Sequence, residues 1–124
     1  MAERILIEVP DELIRRDIAF TDKETGERRM FNSVTLPKGC HYMGEDLSGW
    51  EFSARFLNPA KVHGKGWSEI PLLADNIVRV QTRAVDEQGN FELDEFGKTM
   101  RIVRKVPPAS LKEAVETAFQ REGI

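Results

Sequence analysis

The residues best suited to binding chemistry lie in one glycine-containing loop. Residues 58–67 read NPAKVHGKGW and place cations at Lys61 and Lys65, an imidazole at His63 and an aromatic ring at Trp67. Lysines follow phosphates, and each base that stacks on an aromatic ring contributes on the order of 1–3 kcal/mol. The combination is typical of surfaces that hold single-stranded nucleic acid. The alternative interpretation is that Trp67 only covers the edge of the core.

Two alternating stretches flank this loop and must position it. Residues 50–57 and 77–85 both alternate apolar and polar side chains, which predicts two half-buried strands. The predicted inward residues are Trp50, Phe52, Ala54, Phe56, Val78, Val80, Thr82 and Ala84. The predicted outward faces carry arginine, and a later strand over 98–106 adds further cations. A basic track would then run over the sheet through Arg55, Arg79, Arg83, Arg101 and Lys105.

Further strands are predicted over 3–9, 18–21 and 28–36. The polar run 22–27, which contains Gly26, predicts the loop of a β-hairpin between the last two of these. Phe31 falls on the polar face of the second hairpin strand and is a candidate stacking ring. Residues 11–16 fit either a helical turn or irregular extended chain, of which the irregular chain is preferred. Residues 37–49 are interpreted as a loop and 70–76 as a buried turn.

The end of the sheet and a C-terminal helix are also predicted. Glycines at Gly89 and Gly97 favour two successive reversals, with a short rung at 91–93 between them. Two prolines at 107 and 108 end the last strand, and Ser110 with Glu113 fits a capping box. The apolar stripe of the helix comprises Leu111, Ala114, Val115, Ala118 and Phe119.

Length and composition predict one domain over 1–124, with a β-rich part over 1–106 and the helix over 107–124. The chain is 40% hydrophobic and 31% charged, as in soluble globular proteins. No apolar run reaches the roughly 18 residues of a membrane span, and the N-terminus lacks the layout of a signal peptide. Cys40 is the only cysteine, so we expect an inert thiol, no disulfide, and a cytoplasmic protein without membrane partners.

Catalytic and metal-binding signatures are absent from the sequence. His41 and His63 are the only histidines, and neither stands near a cysteine or carboxylate at metal-ligand spacing. The acidic residues at 94 and 95 fit a solvated turn better than an acid–base pair. We therefore expect no enzyme, no metal and no cofactor. The net charge of −3 further implies that any nucleic-acid site is a local basic patch.

The order of these elements resembles single-stranded DNA-binding proteins of the OB-fold type, over roughly residues 18–106. The shared features are about five strands, the 22–27 hairpin loop, the long loop before a fourth strand and the 86–90 turn. The chain also broadly resembles small accessory proteins of mobile elements. The resemblance implies a five-stranded OB-like barrel or a strongly curved antiparallel sheet. It also implies base stacking on Phe31 and Trp67 and phosphate contacts from Lys61, Lys65, Arg79 and Arg83. That family typically ends in a flexible acidic tail, whereas this chain ends in a helix.

Two functions from different classes follow. In the first, the chain binds single-stranded nucleic acid without chemistry; DNA is favoured, and the sequence does not separate DNA from RNA. The expected site comprises Phe31, Arg55, Lys61, His63, Lys65, Trp67, Arg79, Arg83, Arg101 and Lys105. In the second, it is an interaction or assembly module of phage or mobile-element origin, which forms a homo-oligomer or pairs with another subunit through strand edges or the C-terminal helix.

Overall fold

The computed structural model describes residues 3–122. Within them the chain forms ten strands, one 3-10 turn at Asp11–Leu13 and one helix. The strands are β1 Arg4–Pro10, β2 Ile14–Thr21, β3 Arg28–Thr35, β4 His41–Tyr42, β5 Glu45–Asp46, β6 Glu51–Ala54, β7 Asn58–Pro59, β8 Trp67–Leu73, β9 Val78–Arg83 and β10 Arg101–Val106, and the helix is α1 Pro108–Arg121. The predicted architecture, mainly β with a C-terminal helix, is confirmed. The last two residues of the predicted helix, Gly123 and Ile124, lie outside the described residues.

The strands form two main antiparallel sheets. The larger has five strands in the order β10-β9-β6-β3-β2, and the smaller has three in the order β1-β8-β7. The short strands β4 and β5 pair as a separate hairpin. The predicted hairpin around 22–27 is confirmed, since β2 and β3 pair from Thr21–Arg28 onwards. Among the described strands, β10 and β2 do not pair with each other, so the five-stranded sheet is open.

One apolar core joins both sheets and the helix. It receives alternate residues of the strands, as a half-buried sheet requires, and one stripe of α1. Ile7 of β1 lies opposite Ile70 of β8 in the register, and both side chains point into the core. The largest fully buried side chains are Phe52, Ile7, Leu36, Leu47, Ile70 and Leu111. Of the predicted helical stripe, Leu111, Val115, Ala118 and Phe119 are buried, and Ala114 packs partly against the core.

The stretch predicted as one strand over 50–57 is shorter in the structure. β6 ends at Ala54, and Phe56 is 62% exposed, so its predicted inward position was wrong. The reason is a change of sheet: the chain leaves β6 and forms β7, which pairs with β8. The residues predicted to lie in a continuous loop therefore contain a short strand at Asn58–Pro59.

The interpretation of 70–76 as a buried turn was also wrong. Most of it belongs to β8, which runs from Trp67 to Leu73. Pro71 concealed this strand, because proline is rare in the interior of a sheet. Here it is tolerated: β7 pairs only with Glu69 and Ser68, so Pro71 lies where β8 has β1 alone as its partner.

Three smaller expectations need correction. Residues 11–16, interpreted as irregular, contain the 3-10 turn and the start of β2, and the 37–49 loop contains the β4–β5 hairpin. The helix has Pro107 at its N-cap and no side-chain cap, so the capping box was wrong. Pro108 occupies the first turn, where its missing N–H leaves no partner unsatisfied.

The two predicted reversals after β9 are confirmed and use the same chemistry twice. Oδ1 of Asp86 accepts hydrogen bonds from the N–H groups of Gln88 and Asn90, each at 2.9 Å. Oδ1 of Asp94 accepts from Phe96 and Lys98 in the same way, each at 2.9 Å. Isolated bridges join Val85 to Phe91 and Leu93 to Thr99, which is the predicted short rung.

Replacement of Leu111 by alanine tests the contribution of the helix to the core. Leu111 is fully buried, so Leu111→Ala should lower the free energy of unfolding by about 2–5 kcal/mol. Leu93→Ala is the matched control, because Leu93 is 58% exposed and its loss should change stability by less than about 0.5 kcal/mol. Urea denaturation measures both. Equal, small effects would show that α1 does not contribute to the core.

Candidate nucleic-acid interface

Six of the ten predicted site residues lie on one face of the five-stranded sheet. The core side of this sheet carries Phe52, Ala54, Val78, Val80 and Val106. Because side chains alternate along a strand, the residues between these point to the opposite side, which we call the outer face. The outer face brings together Phe31, Arg55, Arg79, Arg83, Arg101 and Lys105.

The register of β9 and β10 places cations directly opposite one another. In the register, Arg79 lies opposite Lys105, and Arg83 lies opposite Arg101. Directly opposed like charges destabilise a sheet. Within residues 3–122, no carboxylate forms an ion pair with these four cations or with Arg55. The outer face therefore concentrates five cations that form no ion pair, on a chain whose net charge is −3. Glu51, which lines a cavity with Arg83 and Arg101, pairs with Arg15 instead, at 2.9 Å.

The outer face carries side chains from all five strands of the larger sheet. Phe20 of β2 contacts Phe31 of β3 edge to face, with ring centroids 5.6 Å apart. Phe31 and Arg55 follow the paired Asn32 and Ala54 at the same end of the β3–β6 ladder. Arg79 and Lys105 lie opposite each other on β9 and β10, and the register continued from the Glu51–Gln81 pair sets Arg79 level with Ser53 rather than with Arg55. Phe20 and Phe31 therefore lie on the β2–β3 side of the outer face, and Arg79 and Lys105 on the β9–β10 side.

Three exposed aromatic residues beside the outer face were missed by the sequence analysis. Phe91 is 53% exposed, and the guanidinium carbon of Arg83 lies 5.0 Å from its ring centroid. The guanidinium carbon of Arg55 lies 5.4 Å from the ring centroid of Phe56. Phe20 is 43% exposed. The exposure of Phe56 had no sequence signal, since alternation placed it inward. Phe20 was obscured by the β-bulge between Arg15 and Ile18, which shifts the register of β2.

Two cavities on this side of the sheet meet at Gln81. One, of about 640 Å³, includes Arg83, Phe91 and Arg101, and the other, of about 610 Å³, includes Arg55 and Arg79. They exist because β6 and β9 pair only at Glu51 and Gln81. Beyond that pair the two strands diverge and leave space between their outward side chains.

The 58–67 loop lies away from the outer face. Lys61 and His63 line a cavity with Phe119 of the helix, and Lys65 and Trp67 line another. Neither cavity shares a lining residue with the two on the outer face. The structure therefore does not bring Lys61, His63, Lys65 and Trp67 together with the other six predicted residues.

The aromatic groups of this loop are already stacked within the protein. The rings of His63 and Trp67 are nearly parallel, with centroids 3.9 Å apart and an interplanar angle of 9°. Trp67 also contacts Phe119 edge to face, at 5.1 Å. One face of the indole is covered by His63, so Trp67 attaches the loop to the helix rather than offering a free stacking platform.

Glu8 of β1 holds the loop in this position. Its carboxylate accepts hydrogen bonds from the N–H groups of Val62 and His63, at 3.2 and 2.9 Å, and lies 3.0 Å from Nδ1 of His63. Partial burial alone would raise the pKa of Glu8, but the hydrogen bonds from His63 and Val62 lower that pKa below its ordinary value of 4.5. Sequence reasoning gave Glu8 no role, because its partners are more than fifty residues away.

Three further features bear on the expectations about chemistry. In the described part of the chain, no three His, Cys, Asp or Glu side chains are grouped as a metal ion would require. Burial, with a smaller effect from Asp46, raises the pKa of the Cys40 thiol to about 11, so it stays protonated at neutral pH. Between residues 3 and 122, no helix combines the length and apolar character needed to cross a membrane.

Comparison of the chain with protein-family models, with curated proteins and with solved structures found no match.

Replacement of Glu8 by glutamine tests its role in holding the loop. The substitution keeps the shape but removes the charge that strengthens three contacts, so Glu8→Gln should lower the free energy of unfolding at neutral pH by on the order of 1–3 kcal/mol. Since the folded-state pKa of Glu8 is depressed, its stabilisation is complete above pH 4.5 and is lost as the pH falls through the folded-state pKa. Urea denaturation at several pH values should therefore show the difference between wild type and Glu8→Gln narrowing below pH 4.5.

The matched control is Glu87→Gln, which removes a carboxylate from an exposed turn. It should leave the acid dependence of stability unchanged. The role of Glu8 would be refuted if both glutamine variants lost the same stability, or if the difference from wild type persisted at low pH.

Proposed function

We propose that the protein binds single-stranded nucleic acid, in particular DNA, on the outer face of its five-stranded sheet. The observation that carries this proposal is the presence of two directly opposed pairs of cations in β9 and β10: Arg79 with Lys105, and Arg83 with Arg101. Each pair is unfavourable in the free protein. A bound polyanion would relieve that repulsion, since phosphates supply negative charge to cations that form no ion pair within the described chain.

The spacing of these pairs favours an extended ligand. Arg79 and Arg83 are four residues apart on β9, which corresponds to about 13 Å along a strand. A single phosphate reaches one pair but not both. A polymer with repeated phosphates reaches both and also Arg55 on the neighbouring strand.

The aromatic residues favour a ligand with unstacked bases. Phe20 and Phe31 lie at one side of the outer face, and Phe91 lies beside Arg83. Bases of a single strand stack on such rings, whereas the bases of a duplex are already stacked on each other. The mode of binding is the one that the OB-like resemblance implies, but it requires only the open five-stranded sheet and not a closed barrel.

Two double variants with the same change in charge separate the outer face from the loop. Arg79→Ala with Lys105→Ala removes one opposed pair from the outer face, and Lys61→Ala with Lys65→Ala removes two cations from the loop. Fluorescence anisotropy of labelled oligo-dT at several salt concentrations measures the affinity. The outer-face variant should bind on the order of tenfold more weakly at low salt, with a salt slope smaller by about 1.4 for two lost phosphate contacts.

The loop variant should retain nearly the wild-type affinity, because its lysines lie elsewhere. A labelled duplex serves as the second control and should bind more weakly than oligo-dT. Absence of salt-sensitive binding by the wild-type protein would refute the proposal. Equal losses in both variants would refute the assignment to the outer face.

The second candidate function is assembly through the segment between β9 and β10, residues 84–100, which we call the arm. Several large apolar side chains of this arm and of the adjoining strand are exposed, namely Val85, Phe91, Leu93, Phe96, Met100 and Ile102. Exposed apolar patches of this kind mark interaction surfaces. The C-terminal helix is a weaker candidate for assembly than the sequence indicated, because its apolar stripe is buried in the core of the chain itself.

Sedimentation velocity over a range of protein concentrations tests the assembly function. If the arm associates, wild type should show a concentration-dependent dimer or larger species that persists at high salt, since apolar contacts are not screened. Leu93→Glu with Phe96→Glu should return the protein to a monomer. A wild-type monomer at all concentrations would exclude self-association through the arm.

A further inference from the structure

The cavity that Lys61 and His63 line is separate from those on the outer face and lies between the smaller sheet and the helix. Its volume is about 480 Å³. Leu6, Val62 and Phe119 supply apolar walls, and Glu69 of β8 lies among them. We call it the helix cleft. Because β1 and β8 are paired, the floor of the cleft is rigid sheet, while the loop at Val62 forms one rim.

Glu69 is the unusual residue of the helix cleft. Only 3% of its surface is exposed, and it is the one buried ionisable side chain among the buried polar residues of the described chain. Its carboxylate makes no hydrogen bond or ion pair within residues 3–122, and its oxygens open onto the cleft, since no fully buried side-chain oxygen of the described chain lacks a partner. A carboxylate in so confined and largely apolar a position is poorly hydrated, so a cation gains more by pairing with it there than at an open surface.

The sheet register makes the position of Glu69 still less favourable. Glu8 lies directly opposite it in the antiparallel pair of β1 and β8, and like charges in that relation repel. The carboxylate of Glu8 is engaged by Val62 and His63. Two lysines also line the cleft: Lys112 lies 3.9 Å from Glu116, and Lys61 of the loop forms no ion pair with Glu69. Glu69 is therefore the carboxylate of the helix cleft that remains without a partner.

We infer that the helix cleft binds an organic cation: an ammonium or guanidinium group on an apolar stem. The charged group would pair with Glu69 at the sheet, and the stem would lie against Phe119, Leu6 and Val62. A cation placed there also relieves the repulsion between Glu69 and Glu8. The same chemistry is offered by a free alkylamine and by a lysine or arginine side chain of a peptide.

Other ligand classes fit the helix cleft less well. A metal ion requires at least three converging ligands, and among the described residues no such group of His, Cys, Asp or Glu exists. An anion would face three carboxylates, Glu8, Glu69 and Glu116, against two lysines, Lys61 and Lys112. A neutral apolar molecule would leave the buried carboxylate unpaired. An organic cation satisfies both the apolar walls and the charge.

Chemical-shift titration of the full chain tests this inference. The probes are n-butylammonium and n-butylguanidinium, with n-butanol as the neutral control and a capped tripeptide with a central lysine as the peptide arm. The backbone amides of Val62, His63 and Phe119 report on the cleft, and those of Arg79 and Arg101 report on the outer face. Saturable shifts confined to the cleft are expected for the cations and absent for n-butanol.

Glu69→Gln keeps the size of the side chain and should weaken binding of the cationic probes at least tenfold, with unchanged amide shifts elsewhere showing that the fold is intact. Glu95→Gln is the control, because it removes an exposed carboxylate from a distant turn, and it should bind as wild type does. Tighter binding of the tripeptide than of n-butylammonium would assign the site to peptide side chains, and the reverse to free amines.

Three results would overturn the inference: no saturable shift with either cation, equal shifts with n-butanol, or equal affinity in Glu69→Gln. In the first case Lys112→Met completes the test. If Lys112 moves from Glu116 to Glu69 in solution, Lys112→Met and Glu69→Gln should lower the free energy of unfolding by similar amounts. Glu69 would then have an internal partner rather than a ligand.

Discussion

The register of the antiparallel ladders is the constraint on which the rest of this structure depends. Apolar residues hold it: Val78 must stay opposite Val106, and Ile7 opposite Ile70, for both sheets to cover the same core. A slip by one residue would expose every one of these side chains, so the register is strongly specified. The same register determines which charged residues face each other on the sides of the sheets away from the core. The charge arrangement of the surface is therefore a consequence of core packing.

That arrangement is unfavourable in two separate places. On the outer face it opposes cation to cation in β9 and β10, and in the smaller sheet it opposes Glu8 to Glu69. Like charges in direct opposition repel, and each case is best relieved by a partner of the opposite sign. The cavities of the two surfaces share no lining residue. A polyanion and an organic cation could thus bind the same molecule without competing for residues.

Part of the candidate site followed from alternation alone. Arg55, Arg79 and Arg83 were expected outward because Ala54, Val78 and Val80 were expected inward, and the structure agrees. The positions of Trp67 and His63 could not be predicted in this way. His63 stacks on Trp67, and Trp67 contacts Phe119 of the helix, which is distant in sequence. Phe56 was misplaced because alternation cannot show where a chain changes sheets. Glu69 was missed because β8 was hidden by Pro71.

By itself, the sequence determined the class of the fold, the hairpin around Gly26, the two Asp-based reversals and the C-terminal helix. These depend on local patterns: period-two alternation, the conformational freedom of glycine and the helical spacing of Leu111, Val115 and Phe119. Only the tertiary structure decided which strands pair, that the larger sheet is open, and that the basic loop and the outer face are separate surfaces. The physical reason is that strand pairing depends on contacts between side chains in the shared core. Those contacts join residues that are far apart in the chain, so no local sequence pattern predicts them.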